Sequence, residues 1–112
     1  MIMSDVVGFF HLVKASIEAL KASKGSLVAV TTTATERVIP TDACSSVPKA
    51  AVNMLVKHAA REYARFGVRA NIVAPGFFLE PGNEKGLGQR MLEKDPRLGD
   101  TSGNPMRCVC RR

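Results

Sequence analysis

Few side chains in this sequence are thiols or imidazoles, the groups that most readily attack a carbon or hold zinc at neutral pH. There are three cysteines and two histidines. Cys108 and Cys110 stand as C-x-C with Cys44 far off, and His11 and His58 fall in separate helical stretches. A structural zinc site asks for about four ligands, and no plausible fourth joins these, so no metal is expected. Ser45 and Lys49 are four residues apart, which on a helix is one turn and one face. By its context Ser45 reads as a helix N-cap beside Ser46 and Pro48, because a short oxygen side chain accepts from the free N–H groups of a first turn. Asp5 reads as a carboxylate near a helix N-terminus, where the dipole favours it. Thr32 closes a β-branched run; it can orient a ligand carbonyl or simply end a strand. Arg107, Arg111 and Arg112 read as a solvated terminus rather than a nucleic-acid arm.

Composition narrows the classes further. The 112 residues are 46% hydrophobic and 23% charged, which excludes disorder throughout and fits one domain by length. Sixteen Lys and Arg against ten Asp and Glu give +6, which permits an anionic partner such as a nucleotide. Five Phe, one Tyr and no Trp argue against a base-stacking nucleic-acid module. An odd cysteine count closes no disulfide framework. The apolar start lacks a basic leader, and no apolar run is long enough to span a membrane. A reduced, cytoplasmic setting is therefore expected.

The elements that must carry these residues follow from periodicity. Val6, Phe9, Phe10, Val13, Ile17 and Leu20 recur every three or four residues and predict a helix over 4–24. Ser4 or Asp5 is expected to cap it and Gly25 to stop it. Leu27 to Thr33 is β-branched and apolar on both faces, which predicts a buried parallel strand. Residues 34–46 read as a loop. Ala51, Val52, Leu55, Val56, Ala59, Ala60 and Tyr63 predict a second helix over 46–66, with Pro48 tolerated in its first turn and Gly67 at its end. Val68 to Val73 predicts a second strand, closed by Pro75-Gly76. Strand, helix and strand together predict a βαβ unit with parallel strands. Six of nine Gly and four of six Pro lie from residue 75 onward. The chain is thus divided into a patterned part, 1–77, and a turn-rich tail, 78–112.

The strings GSLVAVTTTA and SSVPKAAVNMLVKHAAREYARFGVRANIVAPGF resemble the short-chain dehydrogenase/reductase family, in the rear portion of its fold. The resemblance implies an α/β architecture: an incomplete Rossmann-type unit of helix, parallel strand, helix and parallel strand, with an irregular C-terminal tail. It implies an NAD- or NADP-dependent oxidoreductase that interconverts carbonyls and alcohols. The Gly-rich phosphate turn and the first four strands of the family sheet do not occur in these residues. The family uses a Tyr as acid/base and a Lys four residues later that lowers the phenol pKa and holds the cofactor ribose. Lys49 matches that Lys; Ser45 stands at the Tyr position, and Thr32, thirteen residues earlier, at the catalytic Ser position. Asp5 stands where the family has a structural Asn. Pro75-Gly76 matches the turn that passes beside the nicotinamide, and Glu80 stands where a cofactor-binding Thr usually follows. The resemblance thus implies Thr32, Ser45 and Lys49 as catalytic positions and Lys49, Pro75 and Gly76 as cofactor-binding positions. With the phenol replaced by a serine hydroxyl, weak or absent turnover is expected.

Two strands and two helices leave apolar surface that a full doubly wound sheet would cover. In the family, the helices equivalent to 4–24 and 46–66 often pack against the same pair of another subunit. Self-association, or docking onto a related full-length subunit through those helices, is therefore expected, and a non-catalytic interaction module is the alternative function.

Overall fold

The computed structural model describes residues 1–76, Arg90, Glu93 and the backbone of Arg107–Cys108. Of the turn-rich segment 78–112, including Glu80 and Cys110, almost everything lies outside the described residues. Within them the order is helix α1 (Gly8–Ser23), strand β1 (Ser26–Val30), helix α2 (Ala43–Tyr63), strand β2 (Arg69–Ala74) and a short strand β3 (Arg107–Cys108). A π-helical turn, Ile2–Val7, leads into α1. The strands lie in the order β1-β2-β3. β1 runs parallel to β2 with Ser26 opposite Arg69 and Val30 opposite Val73, as the βαβ reading requires. β3 adds an antiparallel pair, Cys108 opposite Val73 and Arg107 opposite Ala74, which the sequence reading did not anticipate.

The apolar stripe of α2 is the organising surface. Val52, Val56 and Ala59 are buried, and Val52 and Val56 pack with Ala29 of β1 and Ile72 of β2. Phe9 of α1 and Ala70 of β2 close the edge of this cluster. Val56 is 1% exposed, the most deeply buried side chain of the core. From α1 only Ile17 is buried, while Phe10, placed in the apolar stripe by periodicity, is half exposed.

Several local expectations are corrected. The helical backbone begins at Ile2, so Ser4 and Asp5 are inside the first turn and cap nothing; the Ser4 hydroxyl lies 3.0 Å from the Met1 carbonyl and 2.9 Å from Asp5 Oδ1. At the other end Lys24, not Gly25, takes the left-handed backbone, with φ 51°. Gly25 is needed for space: a Cβ there would stand 2.8 Å from Leu20 Cδ2 while the Gly25 N–H donates to the Leu20 carbonyl. β1 ends at Val30 rather than Thr33, because Thr33–Thr35 turns into a 3-10 helix.

α2 starts at Ala43, three residues before its expected start. Asp42 is its N-cap, and the carbonyl of Asp42 accepts from the Ser45 and Ser46 N–H groups. Ser45 is therefore a helical residue and not a cap. Pro48 becomes the sixth residue of α2 and is buried. The helix forgoes one bond there, to the carbonyl of Cys44. Cys44 itself is exposed, so water can substitute. Burial on both faces of β1 also fails: Ala29 is buried, but Val28 and Val30 on the opposite face are 56% and 69% exposed. Side chains alternate along a strand, and α2 covers one side of this one. No helix among the described residues is long and apolar enough to cross a membrane.

Candidate functional site

The early start of α2 places Ser45 and Lys49 one helical turn apart on one face. Lys49 Nζ donates to Ser45 Oγ at 3.4 Å, a long hydrogen bond. The same ammonium stands 3.8 Å from Asp5 Oδ2, with the two side chains 29% and 28% exposed. At that separation and exposure the pair contributes under about 1 kcal/mol. Its consequence is positional: the π-helical entry to α1 delivers a carboxylate to the face of α2 that carries Lys49.

These groups border a cavity of about 420 Å³ between the entry to α1, β1 and α2. Asp5, Phe9, Val28, Ala29, Val30, Thr31, Lys49 and Val52 line it. The wall is mostly apolar, with one cation, one anion and one hydroxyl residue, the general make-up of a small-molecule pocket.

Thr32 is held differently. Its backbone is extended, and its Oγ1 accepts from the Ala34 N–H at 3.2 Å, capping the 3-10 turn. Its carbonyl accepts from Thr35 Oγ1 at 2.9 Å, and Thr35 Oγ1 in turn accepts from Asn53 Nδ2 at 2.9 Å. Asn53 lies one turn beyond Lys49, so it ties the loop after β1 to the helix that carries the lysine. The Thr33 N–H donates to the Pro75 carbonyl at 3.3 Å. The exits of β1 and β2 therefore meet, and Pro75-Gly76 sits beside the Thr32 loop. The structure thus makes two groupings: Ser45, Lys49 and Asp5 in one, and Thr32 with Pro75 and Gly76 in the other. No hydrogen bond or ion pair among the described residues joins Thr32 to Ser45 or Lys49.

Tyr63 is the chain's one phenol. Its ring lies under Lys21 Nζ at 5.3 Å. Fourteen residues of helix, about 20 Å at 1.5 Å per residue, separate it from Lys49. No phenol of this chain stands at the lysine. Among the described residues no three His, Cys, Asp or Glu side chains converge as a metal site.

Sequence reasoning missed Thr31 and Asn53, and it named Asp5 without its pairing to Lys49. Asp5 is 44 positions from Lys49 and Asn53 is 18 from Thr35, so neither pairing leaves a local trace in the sequence. Thr31 is one of three consecutive threonines, and only the strand's geometry shows which of them faces the cavity.

A parallel strand pair crossed by a helix makes an incomplete Rossmann-type α/β unit, and a lysine of that helix borders the cavity beside the first strand. Residues 1–98 match the family model described as enoyl-(acyl carrier protein) reductase. The chain belongs to the short-chain dehydrogenase/reductase family. It is 34% identical over 104 residues to the peroxisomal 2,4-dienoyl-CoA reductase of Saccharomyces cerevisiae, covering 87% of this chain and 36% of that protein. It is 44% identical over 74 residues to the acetoacetyl-CoA reductase of Synechocystis, covering 65% of this chain and 31% of that protein. A solved short chain dehydrogenase/reductase family protein superposes with a TM-score of 0.68 at 32% identity, covering 94% of this chain and 40% of that one. The chain therefore spans about a third of the length of these two curated relatives.

Proposed function

We propose that this chain carries the lysine side of an NAD(P)-dependent site for carbonyl/alcohol interconversion, and that these 112 residues alone turn over weakly or not at all. The observation that carries the reading is Lys49 Nζ against Ser45 Oγ, on one face of α2 at the edge of a largely apolar cavity. The dinucleotide would supply the hydride. Lys49 would donate to the ribose hydroxyls, and the Pro75-Gly76 turn would lie against the nicotinamide side. The residues fit that group in part: a cation and an apolar wall are present, whereas Asp5 offers the ribose diol an acceptor and competes for the ammonium. A serine hydroxyl neither reaches nor titrates as a phenol does, so proton transfer to the substrate oxygen is the missing step.

Two relatives are named as a 2,4-dienoyl-CoA reductase and an acetoacetyl-CoA reductase, which makes acetoacetyl-CoA with NADPH or NADH the first assay. Turnover is expected at or near background. A kcat of about 1 s⁻¹ or more, the ordinary enzyme range, overturns the claim of weak activity.

A second reading has its own observation. Phe10 on α1, with Val47 and Met54 seven residues apart on one face of α2, are each at least half exposed. That surface supports a role as a helix-pair interaction module, docking onto a second copy or a related subunit. Light scattering on an eluting peak should then give at least twice the monomer mass at micromolar concentration. A clean monomer that also fails to co-elute with a full-length relative rejects it.

A further inference from the structure

We propose that Thr31, one residue before the position that the family pattern selects, is the ligand-facing hydroxyl of the cavity and donates to an oxygen acceptor of the bound nicotinamide dinucleotide. The proposal rests on the reading of this cavity as the dinucleotide site.

Three observations converge on Thr31. It is 5% exposed and lines the cavity that Asp5 and Lys49 also border. Its Oγ1 is buried and has no hydrogen-bond partner. A buried hydroxyl without a partner costs stability, and a valine of the same shape would not incur that cost. Its N–H, by contrast, donates to the Val73 carbonyl at 2.8 Å, so the backbone is fixed in the sheet while the side chain alone is unspent.

Thr32 is the opposite case. Its hydroxyl and its carbonyl are both occupied within the loop, by Ala34 and by Thr35. Successive residues of extended chain point to opposite sides, and Thr32 keeps extended backbone at φ −153°, ψ 149°. Of the two, Thr31 lines the cavity and Thr32 does not. A threonine side chain has more than one staggered χ1 well. The proposal requires Oγ1 to leave its covered position for another well and turn toward the cavity when an acceptor oxygen fills it.

The test compares Thr31→Val with Thr32→Val and Thr31→Ser. Thermal melting reads the cost of the hydroxyl, and an NMR amide titration with NADPH into the millimolar range reads its use. Thr31→Val should melt higher than the parent yet bind NADPH about three- to ten-fold more weakly, the worth of one neutral hydrogen bond. Thr31→Ser keeps the hydroxyl and should bind as the parent does. Thr32→Val should melt lower, having lost its turn, the opposite sign to Thr31→Val; a higher melt in both would mean that the gain is not specific to the unpartnered hydroxyl and would overturn the proposal. A Thr31→Val melt at or below the parent's overturns the proposal, because the hydroxyl is then satisfied within the protein or by a resident water. If the parent binds NADPH and Thr31→Val binds it equally well, the proposal alone fails. If the parent shows no saturable shifts, the dinucleotide reading fails and the proposal falls with it.

Discussion

Ser45→Tyr should raise NADPH-dependent reduction of acetoacetyl-CoA by about 10²- to 10⁴-fold over the parent, the range that a positioned acid/base contributes. Position 45 is half-buried, one turn before Lys49, with its Cβ on the face that meets the ammonium. A phenol carried there would titrate near 10 when isolated. A cation within reach favours the phenolate, bringing the group closer to neutrality and into the range for proton exchange with a carbonyl oxygen. Ser45→Phe is the control: it brings the same ring without the hydroxyl and should leave turnover at the parent's level. A gain in both variants would mean that packing limits the parent. A gain in neither would mean that proton donation is not the missing step.

Val56→Asp should abolish the cooperative unfolding transition, read by circular dichroism at room temperature. Val56 is the centre of the core cluster, between Val52 on its own helix and Ala29 and Ile72 on the two parallel strands. A carboxylate there has no partner, and its burial costs several kcal/mol. A domain of this length has roughly 5–15 kcal/mol in total, and a sheet with Val28 and Val30 exposed on its open side stands at the lower end. Val56→Ala removes two methyl groups and should only lower the midpoint. A Val56→Asp protein that melts as the parent does would place the core elsewhere.

The helical and strand periods were legible because the apolar residues that set them are those that pack: the stripe Val52, Val56 and Ala59 on α2, and Ala29 and Ile72 on the strands. The parallel pairing followed from a strand, a long helix and a strand in succession. The ends were less legible. Pro48 looked like a first-turn residue, yet the helix begins five residues before it and gives up a bond to solvent-exposed Cys44. The three threonines after Val30 looked like more strand, but the hydroxyl of Thr32 caps a turn, and local side-chain bonding won over β-propensity. The Lys49–Ser45 contact was legible because one helix carries both residues, one turn apart. Asp5 was not: its pairing with Lys49 depends on how α1 crosses α2, which no spacing encodes. The exposed side of β1 came from an expectation of two covered faces that only one helix meets.

The central claim is that Lys49 keeps its place at a dinucleotide site even though its proton-donating neighbour is gone. Competitive amine acetylation with mass-spectrometric readout, with and without millimolar NADPH, tests it at the residue itself. Labelling of Lys49 should slow in the presence of the dinucleotide, while exposed Lys14 and Lys57 label at unchanged rates. Equal labelling of Lys49 in both conditions would contradict the claim.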